Sequence, residues 1–125
     1  MKVADSSFLV EALLRDASVL ENETFIAPDI ALYEVVNTLW KHQVLFRDLE
    51  DASVRIELFI DMTSSQIVQL LRPDSKLLDK AFALSVKHRA SMYDTIFVAL
   101  ALQLGVELRT YDDRQSAMFS RERRV

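Results

Sequence analysis

The punctuation of this chain does most to limit its fold. Its only glycine is Gly105 and its only prolines are Pro28 and Pro73. Each stands at the border between a short apolar segment and a helical pattern. Pro28 follows Thr24-Phe25-Ile26-Ala27, and Pro73 follows Ile67-Val68-Gln69-Leu70-Leu71-Arg72. Proline suits the first turn of a helix and biases its predecessor toward extended backbone, so both read as strand-to-helix junctions. Gly105 ends an apolar run before Val106-Glu107-Leu108-Arg109-Thr110, the pattern of a helix C-terminus leading into a strand.

From these junctions, strands are expected at Lys2–Ala4, Thr24–Ala27, Ile67–Leu71 and Val106–Thr110. Helices are expected from Ser6 to Arg15, Asp29 to Val44, Asp48 to Met62, Ser75 to His88 and Tyr93 to Leu104, with a last one starting near Arg114. The Tyr93–Leu104 helix is nearly all apolar and hence buried. Strands alternating with helices imply the α/β class: a parallel sheet with right-handed connections and helices on both faces. No repeat, low-complexity tract or flexible linker interrupts the pattern, so residues 1–125 are expected to form a single domain. A chain of this length buries roughly two-thirds of its unfolded surface.

Half the residues are hydrophobic and the mean hydropathy is +0.10, which excludes a disordered chain. No apolar run approaches the ~20 residues that span a bilayer, and Met1-Lys2-Val3-Ala4-Asp5 lacks a secretory signal's apolar core. Cysteine is absent, so disulfides and thiolate metal sites are excluded and a cytoplasmic protein is expected. Net charge is −4, which argues against nucleic-acid binding by bulk electrostatics. Bound cations would invert that argument locally. The bases cluster at Lys87-His88-Arg89, where they complement a helix C-terminus, at Arg109 and Arg114, and at Arg121, Arg123 and Arg124.

Four acids point to chemistry: Asp5, Glu34, Asp94 and Asp112. Each follows, or lies just inside the helix after, a segment readable as a buried parallel strand. In an open parallel sheet, ligands bind outside the carboxyl ends of the strands. Carboxylates gathered there would repel and hold their protons more tightly unless a hard divalent cation joined them. Each acid also has a plainer account. Asp5 and Asp112 precede helices and could be N-caps. Ser91-Met92-Tyr93-Asp94 fits a capping box, although a charge at the mouth of so apolar a helix is costly to desolvate without a partner. Glu34 lies inside a helix with Asn37, Thr38 and Lys41 in one stripe, which could be a solvated face. Asn37, one turn along, is placed to orient Glu34 or to hold a metal-bound water.

At these residues the sequence resembles the PIN-domain ribonucleases, and in particular the VapC-type toxins of prokaryotic toxin–antitoxin pairs. The resemblance spans essentially the whole chain. It rests on Val3-Ala4-Asp5-Ser6-Ser7, on the run from Pro28 through Glu34 to Asn37, on Tyr93-Asp94-Thr95-Ile96-Phe97-Val98-Ala99-Leu100-Ala101, and on Leu108-Arg109-Thr110-Tyr111-Asp112. It implies a PIN-like three-layer sandwich with a central parallel sheet of four or five strands. It further implies a Mg²⁺ or Mn²⁺ site of Asp5, Glu34 and Asp94 with Asp112 as fourth acid, supported by Ser6, Asn37 and Thr110. Asp113 adjoins Asp112, and which of the two faces the metal is open.

The expected activity is divalent-metal-dependent endoribonuclease cleavage. The expected partners are RNA, a small cognate antitoxin protein and further copies of the chain, as a homodimer or higher homo-oligomer, with no membrane association. Val35, Leu39, Trp40, Leu45 and Phe46 are candidates for the protein-binding surface, although the core is their expected destination. No Ser-His-Asp or Cys-His arrangement is evident, and His42 and His88 stand away from the acids, so water would be the nucleophile, activated by metal. The alternatives are a non-catalytic PIN-like interaction domain whose acids are only caps, and a housekeeping RNA-processing nuclease. An aspartyl phosphatase is disfavoured because Asp5 is followed by Ser6-Ser7 rather than by the D-x-D pattern.

Overall fold

The computed structural model describes residues 1–124. Four parallel strands run β1 (Lys2–Ala4), β2 (Phe25–Pro28), β3 (Val68–Leu71) and β4 (Leu108–Arg109), in the spatial order β3-β2-β1-β4. The register pairs Lys2 with Phe25, Phe25 with Val68, and Val3 with Leu108. Helices α1 (Ser6–Arg15), α2 (Ile30–Val44), α3 (Ser53–Ser64), α4 (Ser75–His88), α5 (Met92–Leu104) and α6 (Asp113–Arg123) connect and cover the strands. The α/β class and the three-layer PIN-like arrangement follow as expected, with four strands in the sheet.

The order of strands locates the functional edge. The chain steps from β1 outward to β2 and β3, then returns to place β4 on the other side of β1. The strand order thus reverses between β1 and β4, and in open parallel sheets ligands bind outside the carboxyl ends of the strands at such a point. Asp5 and Thr110 immediately follow those two strands.

The core centres on α5, where Thr95 through Ala101 are buried without a break. This helix packs against β1, β2, α4 and α6. Phe97, Val98 and Leu100 are at most 1% exposed, and each such side chain contributes on the order of 1.5–3 kcal/mol of burial free energy. Thr95, the polar member of this run, donates its hydroxyl to the Ala81 carbonyl of α4 at 2.9 Å, so it enters the core without leaving a bond unmade. Gly105, at φ +66°, closes the helix in the left-handed conformation that glycine adopts without strain.

Several expected boundaries are corrected. Neither proline stands in the first turn of a helix: Pro28 ends β2 opposite Leu71, and Pro73 precedes the capping Asp74. β4 spans only Leu108–Arg109, because β1 offers it just Val3 and Ala4 as partners. α3 begins at Ser53 rather than Asp48, since Asp48 turns aside to bond His42 Nδ1 at 2.9 Å. A 3-10 helix, Ala17–Glu21, fills a stretch that showed no apolar periodicity. Asp94 opens a helix that follows another helix, not a strand; Arg89, at φ 52°, makes the turn between α4 and α5. Val35 and Leu39 belong to the core, while Trp40, Leu45 and Phe46 are exposed. Among the described residues, no helix is long and apolar enough to cross a membrane.

Candidate functional site

Asp5 is the anchor of the acidic edge. It leaves β1 in extended conformation and caps α1, so backbone geometry already turns its carboxylate over the end of the sheet. Oδ1 accepts from the Phe8 amide at 3.0 Å and the Ser7 hydroxyl at 2.7 Å, and Oδ2 accepts from the Thr110 hydroxyl at 2.6 Å. At 2% exposure it is a buried charge with both oxygens bonded, Oδ1 from its own helix start and Oδ2 from Thr110 across the sheet edge. Burial pushes its carboxyl up from the ordinary 3.8; the bonds from Thr110, Phe8 and Ser7 oppose this, and the charge of Asp112 adds to it. The capping account is thus correct for Asp5, yet it does not explain why a cap should be so deeply buried.

Glu34, in the second turn of α2, is half-buried, and its Oε1 accepts from the Ser6 hydroxyl at 2.7 Å. Burial raises its carboxyl above the ordinary 4.5; the Ser6 bond lowers it, and the charges of Asp94 and Asp5 raise it again. Ser6, rather than Asn37, therefore orients Glu34; Asn37 is exposed. Asp94 stands in the first turn of α5, half-buried, and Ser91 makes no side-chain cap bond, so the capping box is not formed. The bond Asp94 does make comes from Gln115 Nε2, at 3.4 Å to Oδ1.

Asp112 caps α6, its Oδ1 accepting from the amides of Arg114 and Gln115 at 2.9 and 3.1 Å. Thr110 joins this cap to Asp5: the hydroxyl that donates to Asp5 accepts from the Asp112 amide at 2.9 Å. Of the two adjacent acids, Asp112 is the one whose charge reaches Asp5, whereas Asp113 is exposed in the first turn of α6. The charge of Asp112 thus reaches Asp5, and those of Asp5 and Asp94 reach Glu34, with Ser6 and Thr110 bonded to the carboxylates of Glu34 and Asp5 and with Asn37 and Asp113 exposed. Ser7 and Gln115 escaped the sequence reading. The i, i+3, i+4 spacing of Gln115, Met118 and Phe119, all buried, was the signal for the second.

The donors are oxygens only, the chemistry that Mg²⁺ and Mn²⁺ prefer. Among the described residues no three Asp, Glu, His or Cys side chains are drawn together as a complete ligand set. Mg²⁺ does not need one, since it keeps several waters and is commonly held by one or two carboxylates plus a substrate phosphate. In that sense the residues fit the ion. The histidines lie elsewhere: His42 pairs with Asp48, and His88 with Glu122 at 2.8 Å. A cleft of about 610 Å³ between Lys80, Lys87, Gly105, Phe119 and Arg123 lies at the far end of α5 from Asp94 and takes no part in the acidic edge.

Comparison with known proteins gives the family and the fold. The PIN domain family's sequence profile matches residues 2–119. The chain is 37% identical over 95 residues to Ribonuclease VapC3 of Pyrobaculum aerophilum, covering 73% of this chain and 68% of that protein. A crystal structure of another Pyrobaculum aerophilum protein superposes with a TM-score of 0.75 at 20% identity, over 94% of this chain and 83% of that one, a likeness of fold. On the profile, the VapC relative and the four-stranded parallel sheet with acids at its switch point, this chain belongs to the PIN-domain family.

Proposed function

We propose that the protein is a Mg²⁺- or Mn²⁺-dependent endoribonuclease, with Asp5, Glu34, Asp94 and Asp112 as its metal-binding and catalytic acids. The observation that carries this reading is Asp5: a buried carboxylate at the switch point, held by Thr110, Ser7 and the Phe8 amide, whose charge and that of Asp94 are both felt by Glu34. A cap alone does not account for so deep a burial, or for the charges of Asp112 and Glu34 that act with it. Residues 1–125 serve as one PIN domain in this reading.

The bound cation would supply positive charge to the scissile phosphate and make a water nucleophilic near neutral pH. The chain's residues do the remainder. Asp5 and Asp94 hold the principal ion, Glu34 completes its surroundings directly or through water, and Asp112 sits beside Asp5. The hydroxyls of Thr110, Ser7 and Ser6 fix the carboxylates before the ion arrives, so little reorganisation is left to the reaction. Burial, with a smaller addition from neighbouring carboxylates, raises the carboxyls of Asp5 and Glu34, and a divalent cation would offset both causes.

The toxin role extends the same reading. The ribonuclease relative supports an RNA substrate; a cytoplasmic setting and a small antitoxin partner belong to the same proposal, and the exposed Trp40, Leu45 and Phe46 beyond the core-facing side of α2 offer apolar surface for that partner or for a second copy. Incubation with total RNA, with and without Mn²⁺, tests the activity. Cleavage that needs Mn²⁺ and disappears in Asp5→Asn and Asp94→Asn supports it. Intact RNA under all conditions would instead favour a non-catalytic interaction domain.

A further inference from the structure

Gln115 is the anomaly of the acidic edge. It stands one turn into α6, 4% exposed, where a helix otherwise buries Met118 and Phe119. A glutamine in such a place needs partners for two donors and an acceptor. Its backbone amide donates to Asp112 Oδ1 at 3.1 Å, and its Nε2 donates to Asp94 Oδ1 at 3.4 Å. The amide's orientation is fixed by chemistry, since an ionised carboxylate only accepts and would repel the carbonyl oxygen. Oε1 therefore stays behind as the one buried side-chain polar atom among the described residues without a hydrogen-bond partner. Buried acceptors are rarely left so, and those that are usually serve water, an ion or function.

We propose that Gln115 is a positioning residue of the metal site, holding Asp94 through its side-chain N–H while its backbone amide makes the cap bond to Asp112, and offering Oε1 to a water carried in with the cation. The inference rests on the metal-nuclease reading above. It accounts for a polar side chain on an otherwise apolar helix face, and for the long bond to Asp94, which can shorten once an ion draws the carboxylate into place. Mg²⁺ and Mn²⁺ retain water when held by few carboxylates, so a buried acceptor next to Asp94 has a donor to meet. Partners of this kind tune affinity without touching the metal, and their removal weakens binding by about 10–100-fold.

The test is Mn²⁺ titration by calorimetry on wild type, Gln115→Leu, Asp94→Asn and the double variant, with thermal melts of each in EDTA. Gln115→Leu deletes the orphaned acceptor at nearly constant volume, so its melting temperature in EDTA should equal or exceed that of wild type. Its Mn²⁺ affinity should nonetheless fall about 10–100-fold. Because Gln115 acts through Asp94, the substitution should weaken binding far less in the Asp94→Asn background. Gln115→Met, unbranched and closer in shape, serves if leucine disrupts the helix. Wild-type affinity in a folded Gln115→Leu or Gln115→Met overturns the proposal and leaves the metal site standing. A wild type that binds no Mn²⁺ at millimolar concentration overturns both.

Discussion

Thr110→Val tests the joint on which the acidic edge depends. Valine keeps the shape of threonine and removes the hydroxyl that donates to Asp5 Oδ2 at 2.6 Å and accepts from the Asp112 amide at 2.9 Å. A hydrogen bond to a charged group is worth about 1.5–3 kcal/mol, and one between neutral groups about 0.5–1.5 kcal/mol. The Asp112 amide bond is lost equally at any pH. The Asp5 bond is worth its larger value only while Asp5 is ionised. Burial holds the folded Asp5 carboxyl above the ordinary 3.8, and Thr110 is the strongest influence pulling it back down. Asp5 thus contributes stability below 3.8 that is lost as pH rises through its folded value, and Thr110→Val, by raising that value further, enlarges the loss. The destabilisation by Thr110→Val should therefore grow by about 1–1.5 kcal/mol between acid and neutral pH, the difference between a neutral and a charged bond. Urea unfolding of both proteins in EDTA, at neutral pH and near pH 4, measures it, because every other titrating group cancels in the comparison. Equal destabilisation at both pH values would mean that Thr110 does not hold an ionised Asp5.

Three further outcomes follow from the same structure. In EDTA, the stability contributed by Asp5 and Glu34 should fall as pH rises from their ordinary values, 3.8 and 4.5, through their raised folded ones; Mn²⁺ should restore it by RT ln(1 + [Mn²⁺]/Kd), and Asp94→Asn, by removing a charge that pushes Glu34 up, should raise the EDTA melting temperature and shrink the Mn²⁺ gain. Leu100→Ala, at the buried centre of α5, should cost about 2–5 kcal/mol in urea unfolding, and a loss near zero would show that the helix is not the core. Gly105→Ala meets no atom within 4 Å, so its cost should be the conformational one alone, about 1–2 kcal/mol for an L-residue in the left-handed region, read as a drop in melting temperature.

Much of this fold could be read from the chain because its local signals agree with its global ones. Val3-Ala4 before Asp5, and the unbroken run from Ile96 to Ala101, are strand and buried-helix patterns that packing merely completes. The acids were legible for the same reason, as charges at the ends of apolar segments. What was hidden is tertiary. Ser6 holds Glu34 across 28 residues and Thr110 holds Asp5 across 105, pairings that no periodicity encodes. The late start of α3 depends on Asp48 choosing His42 over a helix cap, a contest decided by side-chain reach. Asn37 looked like the natural partner of Glu34 one turn away, but Ser6 reaches the carboxylate from α1.

The span between Asp5 and Thr110 has a consequence for synthesis. β1 is made first, yet its neighbour β4 and the hydroxyl that secures Asp5 arrive about a hundred residues later. At about 5–20 residues per second, seconds pass in which β1, β2 and β3 can pair while the edge remains open beside β1. Closing so long a loop is also entropically slow, so this edge is expected to be late in folding as well as in translation. A nascent chain would then carry Asp5 with only its Ser7 and Phe8 bonds until the segment from Leu108 to Thr110 has emerged. The Thr110 hydroxyl reaches Asp5 only after about a hundred further residues have been made, so the support of the acidic edge is completed long after the carboxylate itself exists.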